Sequence, residues 1–429
     1  MIADQSTAIS HRMCRERIAK LEIGSNVDMH ERPSDVNIGD FGKRRFPISV
    51  LYVSPHIDFH GADRSLFQNL NYLNENGLVK PFVILPAEGL LSRNLRSAGI
   101  PFRVVPFKSS AGGGKAKNPV KTLVKRVYNG VMAAFASSSL ARESFDLVHT
   151  NDMITDFGIK LARILRVPHV QHGRALLQEQ CGIYFDRGEI KELRYIDKHS
   201  ASVIFNSKTV LERYKAFFPQ PKVHVIYSPA FEKKLLPKKS YDIRERKIRF
   251  IFAGRIEPAK DPMVALGAVE ELVNRNLRNF DFSFFGSANP HYKEYLRRFS
   301  ENVTRLPRDT VFHHEFDPNL SEHLSEYDIG IFCSPIEGIP RVISEFLLNG
   351  MPVIGTNSPG TLELIKDGFS GLIFEPRNAV DLANKMEFFI QDRTKIPEIG
   401  FNAQNSLDSD FSLETTSEQL YELYRQCIK

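Results

Sequence analysis

The chain alternates short apolar runs with helix-length amphipathic stretches. The run PISVLYVSP (47–55) is β-branched and nearly continuous in its apolar positions, as a strand buried on both faces requires. A turn at HGADRS (60–65) follows. Leu66, Phe67, Leu70 and Leu73 then recur at helical spacing until Gly77 supplies a stop. PFVILP, PFRVVPF, DLVHTN, PHVQHG, SVIFNS and VHVIYSP continue the strand series. The polar stretch 231–247 (FEKKLLPKKSYDIRERK) breaks the pattern, which restarts at RFIFAG. A helix through Met263, Leu266, Val269 and Val273 comes next, then FSFFG, TVFHHEF, DIGIFCSP, MPVIGTN and GLIFEP. In the last stretch Leu420, Leu423, Tyr424 and Cys427 fall at i, i+3, i+4 and i+7.

Strands alternating with helices mean crossover connections and parallel sheets. The pattern predicts an α/β chain of two doubly wound, Rossmann-like domains facing across a cleft. Its expected divisions are an N-terminal extension (1–45), a first domain (46–230), a linker (231–247), a second domain (248–410) and a C-terminal helix (411–429). Ligands of such sheets bind outside the carboxyl ends of the strands, so the loops there are where chemistry is sought.

Composition narrows the classes. No stretch of the 429 residues approaches an uninterrupted apolar membrane span, and the first residues lack the apolar core of a secretory signal. Cys14, Cys181, Cys333 and Cys427 lie far apart with no metal-ligand spacing, which fits a reducing cytoplasm. Net charge is +6, but it is unevenly spread. From Gly89 to Arg142 there is no acidic residue and there are ten Lys or Arg. Local excess of this kind points to an anionic partner surface.

The strongest constellation is SPIEGIPRVISEFLLNGMPVIGT (334–356), directly after the strand DIGIFC. Gly338 permits close backbone approach, and Pro340 is suited to the first helical position, so a helix is expected just after Glu337, its free N–H groups facing an anion. Glu337 and Glu345 can accept hydrogen bonds from a hydroxyl-rich ligand. Alone, each would read as a helix charge; the pair around a Gly-x-Pro start favours function. AGRIEPAKDP (253–262) places Arg255 and Lys260 in one strand-to-helix loop, where two cations can hold a diphosphate.

Gly254-Arg255 with Lys260, then Glu337 and Glu345 in an E-x7-E arrangement, then the turn Ser358-Pro-Gly-Thr-Leu-Glu363, resemble the retaining family-4 glycosyltransferases of GT-B fold. The resemblance covers roughly residues 47–427. It implies transfer of a hexose-type sugar from a UDP- or GDP-sugar to a hydroxyl of a glycan or lipid-linked acceptor, with anomeric configuration kept. On it, Arg255 and Lys260 hold the donor diphosphate, Glu337 lies by the donor sugar with Gly338 and Ile339, and Glu345 contacts the ribose. HGADRS resembles the family's glycine-rich loop through Gly61, with His60 and Asp63 in place of the usual Gly and Glu. PHVQHGR resembles the strand whose final His, here His172, reaches the donor sugar. VIYSPAF departs from the family's usual hinge, and the last helix is expected to cross back to the first domain. No cofactor and no metal are implied.

Other motifs weigh less. GGGKA (112–116) lacks the first Gly and the final Ser or Thr of a phosphate-binding loop and reads as a mobile loop. Asp408-Ser-Asp410 reads as a cap for the last helix rather than a metal site. His56, His60, His149 and His169 read as ordinary polar residues. No nucleic-acid module is present. After Asn118-Pro119, Val120, Leu123, Val124, Val127 and Val131 form a stripe beside Lys121, Lys125 and Arg126. That is either a domain helix with a solvated basic face or a peripheral membrane contact within 103–131. Two alternatives stand beside glycosyl transfer: a GT-B-type nucleotide-sugar epimerase or sugar-phosphate synthase, and a non-catalytic nucleotide-binding scaffold. A dehydrogenase is disfavoured, because neither first strand is followed by GxGxxG.

Overall fold

A computed structural model describes residues 47–59, 61–114, 118–219, 221–230, 246–317 and 319–428. The extension 1–45, His60, Lys115–Lys117 and most of the linker (231–245) lie outside the described residues.

The first sheet is assembled from β1 (Ile48–Val53), β2 (Val79–Leu85), β3 (Phe102–Val104), β5 (Leu147–Asn151), β6 (His169–Gly173), β8 (Ser202–Phe205) and β9 (Val223–Val225). Its order is β3-β2-β1-β5-β6-β8-β9, all parallel. Two short strands, β4 (Ala111–Gly113) and β7 (Ile183–Phe185), pair antiparallel outside it. Gly112 and Gly113 of GGGKA therefore lie in a short antiparallel ladder with a strand about 70 residues away, not in a loop between strand and helix. A second sheet holds β10 (Ile248–Ala253), β11 (Phe280–Phe285), β12 (Val311–His314), β13 (Ile329–Phe332), β14 (Val353–Thr356) and β15 (Gly371–Phe374), in the order β12-β11-β10-β13-β14-β15 and again all parallel.

Both orders reverse direction beside their first strand, between β1 and β5 and between β10 and β13. At such a switch point adjacent loops splay to opposite faces and leave a crevice. The sheets are buried on both sides. Val50, Tyr52, Leu70 and Val83 anchor one core, and Phe250, Phe280, Phe282 and Phe284 pack ring on ring in the other. Gly330 in β13 allows the helix Arg341–Leu348 to lie close, since a Cβ there would fall 2.2 Å from Phe346 Cδ2.

The helix Leu413–Ile428 buries Leu420, Tyr421, Leu423 and Tyr424 in the core around β1. Thr416 and Ser417 donate to Asn69 at 3.0 and 2.9 Å. The cap of this helix is Ser412, whose Oγ accepts from Thr415 N at 3.1 Å. Asp408 instead precedes a separate short turn, Ser409–Phe411, and makes no capping bond. It sits too far before the helix to reach the first free N–H groups.

Candidate active site

On the second sheet, the loop after β10 and the loop after β13 converge at the switch point. Lys260 forms an ion pair with Glu337, and Ser334 donates to the same carboxylate oxygen at 3.1 Å. Glu337 is buried, while Lys260 keeps about a quarter of its side chain exposed. Arg255 meets Glu257 at 2.9 Å, and Asn289 holds the other oxygen of Glu257 at 2.6 Å. The Arg255 guanidinium is half exposed. Two cations, each steadied by a buried carboxylate, thus edge one crevice. Cations held in place beforehand in this way can act on charge that develops beside them.

The helix after β13 begins at Arg341, with Pro340 in the cap position and extended (ψ 103°). The expected start just after Glu337 is corrected. Ile339 precedes a proline, which disfavours helical backbone there, so residues 338–340 stay outside the helix and the N–H of Gly338 is not a helix terminus. That N–H faces Gln180 Oε1 of the first lobe at 3.4 Å.

On the first sheet, a buried polar cluster fills the matching crevice. Asp152, just past β5, has φ 98°, left-handed backbone that a non-glycine residue adopts only when held. Its N–H donates to His172 O at 2.8 Å, its carbonyl accepts from Gln171 at 2.7 Å, and its own Oδ1 accepts from Met153 N at 2.6 Å. The remaining carboxylate oxygen lies 3.2 Å from His56 Nε2. That contact helps hold the His56 imidazole above its ordinary pKa, against the desolvation that would lower it. Arg174 donates to Asn151 at 2.8 Å, and burial lowers its guanidinium to about 10. Burial raises Asp63, beside Ser54, to about 6. His172 is buried with both ring nitrogens unpartnered. Desolvation, then Arg174, holds it well below the usual imidazole range, so it is neutral.

The lobes meet across this gap. Arg341 donates to Ser65 at 2.6 Å and to Gln68 at 3.2 Å, and Arg64 approaches Glu345 at 3.6 Å. Glu363 accepts from the N–H groups of Lys208 and Thr209 at 3.0 and 2.6 Å and from Tyr227 at 3.1 Å. It therefore sits at the amino end of the helix Lys208–Tyr214, where a carboxylate is favoured. Gly338 and Gly360 are required by proximity: a Cβ on the first would fall 2.6 Å from Val210, and on the second 2.3 Å from the carbonyl of Glu337. Burial, first, and then the charge of Asp152 push the thiol of Cys181 up to about 11.

Residues 235–406 match the model of the family described as Glycosyl transferases group 1. The uncharacterized glycosyltransferase MJ1607 of Methanocaldococcus jannaschii is 23% identical over 302 residues, covering 67% of this chain and 76% of its own. The UDP-Gal:alpha-D-GlcNAc-diphosphoundecaprenol alpha-1,3-galactosyltransferase of Escherichia coli is 22% identical over 320 residues, covering 66% and 76%. The protein is a glycosyltransferase. The fold of the transferase is GT-B: the Anabaena Alr3699/HepE structure in complex with UDP superposes with a TM-score of 0.73 at 20% identity, over 88% of this chain and all of that one.

Of the residues singled out from the sequence of the transferase, Lys260 and Glu337 are in direct contact. Arg255 and Gly254 share their loop, and Gly338 and Ile339 follow Glu337. Glu345 lies farther along the helix, facing Arg64. Gly61 opens the helix Gly61–Glu75 and faces Arg341. His172 sits on the other lobe, at the end of β6. Asp152, Arg174 and Arg341 were not in that set, His56 was read as an ordinary polar residue, and Glu363 was named only as the end of the turn 358–363. His56 and Asp152 are 96 residues apart, and nothing local marks them as partners. No group of three or more His, Cys, Asp or Glu able to hold a metal occurs among the described residues.

Proposed function

We propose that the protein is a family-4, retaining hexosyltransferase that moves a sugar from a UDP- or GDP-sugar to a hydroxyl of a glycan or lipid-linked acceptor, in synthesis of cell-surface polysaccharide or glycolipid. The observation that carries the reading is the pairing of Lys260 with buried Glu337, beside Arg255, at the switch point of the second sheet. The Anabaena neighbour's UDP and the E. coli relative's diphosphoundecaprenol acceptor support a uridine donor and a lipid-linked acceptor.

In the scheme, the bond between the anomeric carbon and the diphosphate oxygen breaks, and negative charge grows on that oxygen. Arg255, by its planar fork, and Lys260, as a point charge, stabilise it more as it grows. Glu337 holds Lys260 and lies by the donor sugar, Gly338 and Ile339 line it, and Glu345 takes the ribose. His172, neutral and unpartnered, offers the sugar both a donor and an acceptor. The acceptor oxygen bonds the anomeric carbon from the side the diphosphate leaves, and its proton passes to the departing phosphate oxygen. No metal ion enters the scheme. The position is cytoplasmic, with peripheral membrane contact through segment 103–131.

A thermal-shift panel of UDP, GDP, ADP and CDP tests the donor half. A nucleotide at a hundred times its Kd adds about 2.7 kcal/mol of stability. UDP or GDP alone is expected to respond, and indifference to all four would sink the reading. The anomeric proton coupling of the product, by NMR, then tests retention.

A further inference from the structure

The helix Pro119–Ser139 is built inside out. Val120, Leu123, Val124, Val127, Val131 and Phe135 share one face, and each is between 58 and 67% exposed. The opposite face is polar or small. Asn129 is buried and donates to Lys108 O and Asp156, both at 2.9 Å, while Lys125 pairs with Asp186 at 2.7 Å. Ala133 and Ala136 pack against Phe107, Phe157 and Leu161. A helix on a water-soluble domain ordinarily does the reverse. With its inner face already bonded to the first lobe, the helix cannot roll its stripe into the core. Other exposed large hydrophobics, such as Ile164, Phe312 and Phe401, are spread over separate elements. A contiguous stripe marks a docking surface.

Charge decides what docks. Lys121 is exposed at the flank of the stripe, and Lys108 lies 5.7 Å from the ring of Tyr128 on the same helix. Lys115 and Lys117 immediately precede the helix in sequence, and no acidic residue occurs between Gly89 and Arg142. A second copy would oppose one basic rim to another with no carboxylate between them. Lipid phosphates neutralise such a rim and leave the stripe an apolar phase to enter. No helix of the described residues is long and apolar enough to cross a membrane, so the contact lies in the plane of the surface.

We propose that the outer face of this helix lies in an anionic lipid bilayer, its six apolar side chains at the acyl boundary and its lysines among the headgroups. This narrows the membrane part of the proposed function to particular atoms. The contact is not the whole basic segment: Arg103 is turned to Ser139 O, and Lys125 is spent on Asp186. The surface also touches the cleft's own scaffold. Asp186 follows β7, and the chain leading into β7 carries Gln180, which faces Gly338 in the crevice. A docked helix would hold that strand pair at the membrane, with the crevice beside it.

The sequence has no tryptophan, so Val127→Trp gives a single reporter. Its emission is expected to shift to the blue with vesicles of phosphatidylcholine and phosphatidylglycerol, and not with phosphatidylcholine alone. Phe401→Trp, exposed on the second lobe, should not shift with either. In sedimentation, Leu123→Glu/Val127→Glu should bind the anionic vesicles at least about tenfold more weakly than the parent, with an unchanged unfolding temperature. Equal binding by parent and double variant, or no binding to anionic vesicles, would overturn the proposal. So would a dimer in solution that the double variant dissociates, which assigns the stripe to a second copy. These readouts use no nucleotide and no sugar, so they stand or fall apart from the donor chemistry.

Discussion

The two switch points solve one geometric problem with opposite electrostatics. On the second sheet the charges are paired and partly wet: Lys260 with Glu337, Arg255 with Glu257. On the first sheet Asp152 is likewise paired, with His56, but Arg174 and His172 are dry and incompletely partnered. His172 has neither nitrogen bonded, Arg174 leaves Nη1 without a partner, and Asp152 is held in left-handed backbone. Paired cations can exchange a carboxylate for a phosphate with little cost in burial, as binding an anion requires. Unpartnered buried groups carry a standing desolvation cost and keep their hydrogen bonds for something that arrives. In the proposed scheme the second crevice thus receives charge, and the first meets neutral, hydroxyl-bearing groups of the sugar.

The strongest way to break this contrast is at Lys260. Lys260→Ala is expected to lower turnover about 100- to 1,000-fold, the range seen when one preorganised charge-stabilising group is removed. It also leaves Glu337 buried without its cation, so the unfolding temperature should fall as well. Adding Glu337→Gln separates the two effects, because the amide still accepts from Ser334 and carries no charge. The double variant should recover stability and not turnover. If turnover returned with stability, the pair would be a structural ion pair and the crevice would lose its assigned role.

A smaller effect is expected on the first lobe. His172→Ala removes no hydrogen bond of the free protein, so folding should change only by the small cavity it leaves. If the imidazole hydrogen-bonds the donor sugar, turnover should fall about tenfold to a hundredfold, with nucleotide affinity unchanged. Calorimetric titration of UDP beside single-turnover kinetics checks both. A loss of nucleotide affinity would place His172 against the diphosphate and erase the division between the crevices.

What could be read from the chain follows the same division. Arg255 and Lys260 lie within one strand–loop–helix window, and Glu337 to Glu345 within another, so periodicity and spacing were enough to bring them to one sheet edge. Arg341 lies in that second window, yet its partner Ser65 is 276 residues away, and no local pattern names it. The contact of Glu363 with Thr209 spans 154 residues. The left-handed backbone of Asp152 is imposed by Gln171 and His172 from the neighbouring strand, so the sequence Asn-Asp-Met shows no turn signal. The 119–139 helix was legible as amphipathic, but which face turns inward depends on Asp156 and Asp186, beyond its own window. Local order was readable; the choice of partner was not.

The finest difference is in acid. His149, His169 and His172 are fully buried, and desolvation is the first cause that lowers each, His169 to about 3. Below pH 6.5 the unfolded chain takes up protons that these folded imidazoles refuse, so their contribution to stability is lost as pH falls. Asp63 works against them. Burial raises it from 3.8 to about 6, so between those values the folded protein keeps a proton the unfolded chain has released. Its contribution is present at low pH and is lost as pH rises through 6. Asp63→Asn keeps an oxygen to accept from Ser54 and removes this opposing term. Between about pH 4 and 6 the slope of stability against pH should steepen by up to one proton, about 1.4 kcal/mol per pH unit. Urea midpoints across that range measure it. An unchanged slope would mean that Asp63 is ionised in the folded protein, and that the first crevice carries its charge in the open as the second does.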